Sequence, residues 1–270
     1  MFGTSERAGK GGSADKRPAS TAVRDETAAH LRSPHAGASS SCKTCSLRPV
    51  CAVNPDELAC SQQMEDLVLG YRQVKKGEAL FRVGDPFTNL YAIRTGSFKK
   101  VTLLADGREQ VTGFHVSGES LGTDGIAAAQ YASDAIALED SSVCVMPFDL
   151  LEWLSREVDA VRHHVFRMLS AQLVRESNSM MLLTMTADER VAAFLLDLSR
   201  RWQARSYSPS AFALRMTREE TGSFLGLKLE TVSRTLSRFQ KQGLVQVRGK
   251  DVRILDFAGL IEVAHHPSSS

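Results

Sequence analysis

Five cysteines carry the most specific chemistry in this 270-residue chain. Cys42, Cys45 and Cys51 follow a C-x2-C-x5-C spacing, and Cys60 comes nine residues later. Two thiolates three residues apart can reach one metal centre without strain, and a third can curl back to it past Pro49. Iron–sulfur clusters are held by four thiolates, often three from one local run and the fourth from a distant part of the chain. The spacing therefore favours an iron–sulfur cluster.

The fourth ligand of such a cluster has two candidates in the sequence. Cys144 lies in the strand-like stretch 142–146, and Cys60 is its competitor. A zinc site and inert thiols are the alternatives, although zinc sites usually present two close cysteine pairs, which this chain lacks. An odd number of cysteines without a secretion signal favours metal or redox use over a disulfide framework.

A second polar set lies on a helix predicted to begin near Glu230 and to run to about Gln242. Apolar residues recur at helical spacing on one face of this helix. The opposite face collects Glu230, Ser233, Arg234, Ser237 and Lys241. Such side chains suit a DNA major groove, because Glu accepts from cytosine N4, Arg forks onto guanine and Lys neutralises phosphate. An ordinary solvated helix face is the alternative for this pattern taken alone.

The residues around that helix predict a winged helix-turn-helix over residues 186–263. Thr217 and Glu220 form a capping-box pattern, and Gly226 opens a three-residue turn before the second helix. Alternating residues on both sides of 248–251 then predict a hairpin wing. Residues 187–257 hold 13 Lys/Arg and 8 Asp/Glu, a formal charge of +5, whereas the whole chain has +2. This concentration of positive charge indicates a DNA-binding domain.

The remaining chain divides into three parts by composition and periodicity. Residues 1–41 are rich in Ser, Ala and Gly, so we expect a disordered N-terminal extension. Residues 42–149 combine the cysteine loop with short alternating strands punctuated by glycines, which is typical of a β-roll or jelly roll. Residues 150–185 predict a long helix. The expected fold class is therefore α+β, with a β-roll, a long dimerisation helix and a C-terminal winged helix-turn-helix.

An apolar seam along the long helix indicates a contact between two copies of the chain. Its members recur at spacings of three and four residues, which is enough for a coiled-coil contact. They are Val165, Leu169, Leu173, Glu176, Met180 and Leu183, of which the first five are the expected dimer contacts. Across a two-fold axis Glu176 would face its own copy, and like charges repel there. The alternative is that the seam packs only within the chain.

Composition excludes several other classes of protein. A hydrophobic content of 43% permits two cores, yet no apolar run approaches the length of about 18 residues that a membrane span needs. We therefore expect a cytoplasmic protein without a membrane partner. The sequence has no dinucleotide fingerprint, no phosphate loop and no catalytic constellation of usable spacing, so we do not expect an enzyme.

The cysteine loop, β-roll, long helix and winged helix-turn-helix, in this order along the chain, resemble the cyclic-AMP receptor protein/FNR superfamily of bacterial transcription regulators. The closer resemblance is to its FNR branch, the fumarate and nitrate reduction regulators that sense oxygen, and it extends from Cys42 to about Leu260. The motifs that carry it are the cysteine spacing, Leu90-Tyr91-Ala92-Ile93-Arg94-Thr95-Gly96, Val111-Thr112-Gly113-Phe114-His115, Val143-Cys144 with Met146-Pro147-Phe148, and Leu225-Gly226-Leu227 before Glu230-Thr231-Val232-Ser233-Arg234.

The resemblance implies a cofactor and its ligands. These are an oxygen-labile [4Fe-4S] cluster and the residues Cys42, Cys45, Cys51 and Cys144. Cys60 has no counterpart in that pattern and is expected to be a bystander.

The resemblance also implies the partners. The family binds double-stranded DNA as a homodimer on an inverted repeat, with Glu230, Ser233 and Arg234 reading bases and the long helix forming the dimer interface. An acidic residue matching Glu176 is thought to oppose dimerisation until the cluster is present. The loop around Gly107 corresponds to a surface that contacts RNA polymerase, although Arg108 stands where the enteric relative has an acid.

Two positions depart from the family patterns. The branch that binds cyclic nucleotide uses a Gly-Glu pair and a downstream Arg, whereas here Gly118-Glu119 is followed by Asp134, which would repel a phosphate. We therefore expect no cyclic nucleotide. Lys228 stands at the predicted N-cap of the recognition helix, where Lys cannot accept the cap hydrogen bond, and we expect it to contact DNA phosphate instead. The alternative function is a regulator gated by a small effector in the β-roll, or by zinc or thiol redox.

Overall fold

The computed structural model describes residues 68–265 of the chain. Cys42, Cys45, Cys51 and Cys60, together with the predicted disordered extension 1–41, lie outside these described residues. Within them, no helix is long and apolar enough to cross a membrane.

Within residues 68–265, eight strands form the predicted β-roll. They are β1 (Gly70–Val74), β2 (Ala79–Phe81), β3 (Asn89–Thr95), β4 (Ser97–Leu103), β5 (Glu109–Val116), β6 (Ser120–Leu121), β7 (Asp134–Ala137) and β8 (Ser141–Pro147). They pair as two antiparallel sheets, in the orders β1-β8-β3-β6 and β2-β7-β4-β5, which is the strand order of a jelly roll. Side chains alternate across each strand, so Val143 and Val145 of β8 are buried whereas Cys144 lies on the opposite face.

Two helices replace the single long helix that the sequence predicts from about Leu150. They are α1 (Phe148–Glu157) and α2 (Asp159–Met181), and a 3-10 turn, Leu182–Thr184, follows. Val158 separates them in an extended conformation, with φ −128° and ψ 107°. Leu154 of α1 and Val161 of α2 belong to the same apolar cluster as Met146 of the β-roll, and the break allows both helices to contribute to it. The predicted long helix is therefore confirmed as α2, but the prediction that it continues from Leu150 through Val158 was wrong.

The predicted winged helix-turn-helix is confirmed. Its elements are α3 (Ala187–Gln203), β9 (Ala211–Ala213), α4 (Arg218–Leu225), α5 (Leu229–Lys241), β10 (Val245–Arg248), β11 (Asp251–Ile254) and α6 (Phe257–His265). Strands β10 and β11 form the wing hairpin, and β9 completes a three-stranded sheet. Leu225, Val232 and Phe239 join the two helices of the motif in one core, where each has 1% of its surface exposed or less.

That core continues into the β-roll. Val101, Val111 and Phe114, from β4 and β5, belong to the same apolar cluster as the core of the DNA-binding domain. Phe114 contacts Phe224 of α4 edge-on, with ring centroids 5.3 Å apart. The helix-turn-helix is therefore packed directly against the hairpin of β4 and β5.

Candidate functional site

The predicted recognition helix, α5, presents its polar face to solvent. Val232, Thr235, Leu236 and Phe239 are buried on one side of this helix. The other side carries Glu230, Arg234, Ser237 and Lys241 as exposed side chains and Ser233 as a half-buried one. Five side chains of the right chemistry therefore share one accessible helix face, as the helical spacing predicted. The Ser237 hydroxyl donates to the Ser233 carbonyl at 2.9 Å, which leaves its oxygen as an acceptor.

Local interactions fix both ends of α4, the helix that precedes the turn. The Thr217 hydroxyl accepts from the Glu220 backbone N–H at 3.0 Å, and the Glu220 carboxylate accepts from the Thr217 N–H at 2.7 Å. Gly226 ends α4 with φ 64°, a left-handed conformation that glycine adopts without strain. A side chain at Gly222 would lie 2.6 Å from the Leu227 carbonyl oxygen, so the turn after α4 packs against Gly222 without room for a side chain.

Lys228 caps α5 without supplying a cap hydrogen bond. Its backbone is extended, with φ −73° and ψ 150°, which is the N-cap conformation, and its side chain makes no bond to the first turn. The exposed side chain lies at the end of the helix that carries Glu230, beside the predicted base-reading face. A positive charge at a helix N-terminus is unfavourable for the helix itself, and DNA phosphate would neutralise it.

Arg238 is a basic residue of this surface that the sequence analysis missed. Its guanidinium donates to the Asp188 carboxylate at 2.6 Å, and the same carboxylate accepts from the Thr235 hydroxyl at 3.0 Å. Arg238 lines an open cleft of about 370 Å³ together with Thr231, Arg234 and Thr235. Its position four residues after Arg234 places it next to Arg234 on the surface of the helix, so helical spacing could have identified it.

Cys144 lies at the middle of a sheet, next to the strand that leads in from the cysteine-rich segment. It is half-buried, and its register partners are Tyr71 of β1 and Ala92 of β3, so the three residues share one sheet face. The Arg94 guanidinium lies 4.6 Å from the centre of the Tyr71 ring on β1. Residues 68–265 contain no group of three or more His, Cys, Asp or Glu side chains placed to hold a metal ion.

The face that carries Cys144 continues into the apolar contact with the helices. Met146, two residues along β8, and Leu90 of β3 pack in a cluster with Leu151, Leu154 and Val161. Because residues two apart on a strand share a face, Cys144 borders this cluster. The neighbourhood of the thiol is thereby connected to the start of α2.

The predicted seam of α2 is divided between two environments. Val165 and Leu169 are half-buried, and Val165 packs against the cluster on the β-roll. Leu173 and Met180 are 65% and 72% exposed, and exposed Glu176 accepts from the Gln172 side-chain amide at 2.8 Å. Further exposed apolar side chains on α2, which the sequence analysis did not select, are Phe166, Val174 and Met181.

Glu119 lies in a buried cluster of charges between the β-roll and α3. Its side chain is 4% exposed and accepts from Arg201 at 2.7 and 2.9 Å and from Arg205 at 2.9 Å. Burial alone would raise the pKa of this carboxyl, but Arg201, His115 and Arg205 outweigh burial and lower the pKa to about 2. Glu119 is therefore an ionised partner of two arginines.

Asp134 is the second residue that argues against a bound cyclic nucleotide, and its carboxylate also has partners within the protein. Its carboxylate accepts from the Val83 backbone N–H at 2.8 Å and lies 3.5 Å from the Arg82 guanidinium.

Comparison with known proteins agrees with this architecture. A model of the cyclic nucleotide-binding domain matches residues 71–157, and a model of the Crp-like helix-turn-helix domain matches residues 189–263. The transcriptional activator protein anr of Pseudomonas aeruginosa is 42% identical over 224 residues, which cover 83% of this chain and 92% of that protein. The fumarate and nitrate reduction regulatory protein of Yersinia pestis is 40% identical over 230 residues, which cover 84% and 91%.

A solved structure agrees as well. FixK2 from Bradyrhizobium japonicum superposes with a TM-score of 0.67 at 30% identity, over 73% of this chain and 98% of that one. The likeness in sequence extends over both the β-roll and the helix-turn-helix, in the same order. The chain therefore belongs to the FNR-type branch of the cyclic-AMP receptor protein/FNR superfamily of DNA-binding transcription regulators.

Proposed function

We propose that this regulator responds to oxygen, and that it binds an inverted-repeat promoter site as a homodimer when oxygen is absent. The observation that supports this most is the position of Cys144, which is the register partner of Tyr71 on β1, the strand at the start of the described residues. The relatives that carry the names of transcriptional activators and of a fumarate and nitrate reduction regulator support the same function.

The residues available fit a [4Fe-4S] cluster. Cys144 offers one half-buried thiol, and Cys42, Cys45 and Cys51 would supply the other three ligands. The Leu69 backbone N–H donates to the carbonyl of Val145, the residue after Cys144, at 3.0 Å. The chain that enters β1 therefore lies beside Cys144. When bound, the cluster would supply an oxygen-labile link between the N-terminal segment and β8.

The residues around Cys144 provide a route from this thiol to α2. Met146 and Leu90 contact the helices, and Val161, fully buried, begins the packed part of α2. We therefore expect a displacement of β8 to move the start of α2. To be useful as a switch, the tied state must favour the dimer by a few kcal/mol over the untied state.

The dimer interface is expected along the exposed half of α2. Leu173, Met180 and Glu176 lie there as unburied side chains, and an apolar stripe of this kind is buried most readily against a second copy. A two-fold dimer would present two copies of α5 to an inverted repeat. In each copy Glu230, Ser233 and Arg234 would read bases, while Lys228 and Arg238 would contact phosphates and Ser237 would contribute an acceptor.

Two further features complete the proposed function. The loop between β4 and β5 exposes Arg108, which pairs with Asp106 at 2.7 Å, and we expect this loop to contact RNA polymerase. Cyclic nucleotide is not expected as the effector, because Glu119 is occupied by two arginines and Asp134 would repel a phosphate. A DNA-bound regulator of this kind is expected in the cytoplasm.

The test is the visible absorption spectrum and sedimentation of the chain purified without oxygen, followed through exposure to air. Wild-type protein should show a visible band that bleaches in air while dimers convert to monomers. Cys144→Ala should lack both the band and the change in oligomeric state, whereas Cys60→Ala is the matched control and should behave as wild type. A colourless wild-type protein that is already dimeric in air would instead favour a small effector, zinc or thiol redox as the signal.

A further inference from the structure

A buried group of charges joins the β-roll to the DNA-binding domain, and the proposed oxygen response does not use it. Glu119 lies in the turn between β5 and β6, and its two arginine partners lie on the last turn of α3 and just beyond it. The exposed fractions of the side chains of Glu119, Arg201 and Arg205 are 4%, 14% and 5%. The Arg201 guanidinium also donates to the Phe114 carbonyl at 2.6 Å.

Glu119 is the carboxylate that makes this arrangement possible. Arg201 has a second acid nearby, Asp197 at 3.2 Å on its own helix, whereas Arg205 pairs with Glu119 at 2.9 Å. His115 is buried beside the group, with its Nδ1 atom 3.8 Å from the Glu119 carboxylate, and burial lowers its pKa to about 3. The imidazole is therefore neutral at physiological pH. Without the Glu119 charge, the two guanidinium groups would remain buried against the β-roll with too little negative charge nearby to balance them.

The same interface has apolar and polar contacts on its other side. Phe114 meets Phe194 and Phe224 at centroid distances of 6.1 and 5.3 Å. The Ser223 hydroxyl of α4 accepts from the Val111 backbone N–H at 2.9 Å. Residues of both α3 and α4 therefore contact β5 of the β-roll. Domains of one chain move relative to each other by default unless such an interface is large and apolar.

In this docked arrangement the DNA-reading face remains accessible. Arg234 and Glu230 are exposed, and the helix-turn-helix contacts β5 through the other helix, α4. Docking is thus compatible with DNA binding rather than opposed to it.

We propose that Glu119 is an interdomain anchor, which holds the DNA-binding domain to the β-roll so that each subunit moves as one body. The residue corresponds in sequence to the one that the nucleotide-binding branch uses for its ligand, but here its partners are Arg201 at the end of α3 and Arg205 just beyond it. The anchor fixes the direction of both recognition helices in a dimer before DNA is met, and this preorganisation raises affinity. The anchor does not depend on oxygen or on the identity of the signal.

The first test is differential scanning calorimetry of the full chain without DNA. Wild type should unfold in one transition, because its two domains are held together. Glu119→Gln, which keeps the side-chain shape and removes the charge, should separate the unfolding of the two domains into two transitions. It should also expose the connection at residues 182–186 to limited proteolysis, with both domains remaining as folded fragments.

Glu139→Gln is the matched control. Glu139 pairs with Arg215 of the other domain at 3.1 Å, so the same substitution also removes an interdomain ion pair, but its partner's side chain is 50% exposed. This variant should keep the single transition and the wild-type resistance to protease. If both variants separate the domains equally, the special role of the buried Glu119 is refuted.

Arg205→Gln covers the case in which Glu119→Gln fails to fold. This change lies in the DNA-binding domain and leaves Glu119 paired with Arg201. It should weaken the anchor in the same direction, with earlier proteolysis of the connection. A single, unshifted transition and unchanged proteolysis in a folded Arg205→Gln protein would overturn the proposal.

DNA binding provides the functional readout. The probe is a duplex that wild-type protein selects from a random library, and variants are compared at equal dimer fraction by sedimentation. Glu119→Gln should bind about tenfold more weakly or worse, because the recognition helices are no longer held in one direction. Unchanged affinity at equal dimer fraction would overturn the anchor, whereas failure of the oxygen response alone would leave it intact.

Discussion

Lys228→Ser should separate the stability of the recognition helix from its contact with DNA. Lys228 occupies the N-cap of α5 with the correct backbone conformation but supplies no cap hydrogen bond. A serine hydroxyl at this position could accept from the Thr231 backbone N–H, three residues on, and such caps typically contribute about 1 kcal/mol. Removal of a positive charge from the helix N-terminus acts in the same direction.

The stability half of this prediction is measured by thermal unfolding. A gain of about 1 kcal/mol in the free energy of unfolding should raise Tm by roughly 2–4 °C for a protein of this size. Lys228→Ala is the control that removes the charge without adding a cap, so it should gain less than the serine variant. Thr217→Ala removes an existing capping box and should lower stability by about 1 kcal/mol. If the serine variant is no more stable than the alanine variant, the cap reasoning is refuted.

The contact of Lys228 with DNA is tested by measuring DNA affinity by fluorescence anisotropy as a function of salt concentration. If each Lys228 neutralises one phosphate, a dimer loses two contacts, and the slope of log K against log salt should flatten by about 1.8. The serine variant should then bind DNA more weakly while being more stable. An unchanged salt slope would show that Lys228 does not contact phosphate.

Two further predictions concern base recognition and acid stability. Arg234→Ala should lose discrimination at one G·C pair by about 1–3 kcal/mol in competition binding, whereas equal weakening on all sequences would identify a phosphate contact. The pKa of His115, lowered by burial to about 3 from 6.5, means that the unfolded chain binds a proton that the folded chain does not. Stability should therefore be lost as pH falls below 6.5, by about 2 kcal/mol between pH 6.5 and 5 from this group. His115→Gln should flatten urea-unfolding stability over this window, and an identical pH dependence in both proteins would refute the assignment.

The helix-turn-helix could be predicted because its information is local. Thr217 and Glu220 lie within one turn of each other, and Gly226 ends the helix through its own backbone conformation. Each of these signals acts over three or four residues, so the sequence contains the whole interaction. The exposed face of α5 follows from the same helical periodicity.

The break at Val158 could not be predicted in this way. Residues 150–184 have helical spacing on both sides of the break, and Val158 is neither glycine nor proline. The break follows from the shape of the β-roll, because Leu154 and Val161 both reach the cluster around Met146. A helix that continued straight would remove one of them from that surface.

The partners of Glu119 were missed for a related reason. The sequence motif around Glu119 is local, whereas its arginine partners lie 82 and 86 residues away. Contacts of that separation depend on how two domains pack and leave no periodic signal. The position of Glu119 next to Gly118 indicates a nucleotide-binding motif, but its contacts in this chain are with Arg201 and Arg205.

The two proposals together locate the switch on α2. If the β-roll and the DNA-binding domain move as one body, the contact between subunits must decide whether two recognition helices are correctly spaced. Glu176, facing its own copy across the proposed two-fold axis, opposes that contact by about 1–4 kcal/mol at a separation of 4 Å, depending on how far water screens the pair. Reversing a population from 1:99 to 99:1 requires about 5.5 kcal/mol. Burial of the exposed apolar side chains of Leu173 and Met180 favours the dimer, and the Glu176 repulsion opposes it. We expect the free energies of monomer and dimer to be close enough for a change at β8 to reverse their populations.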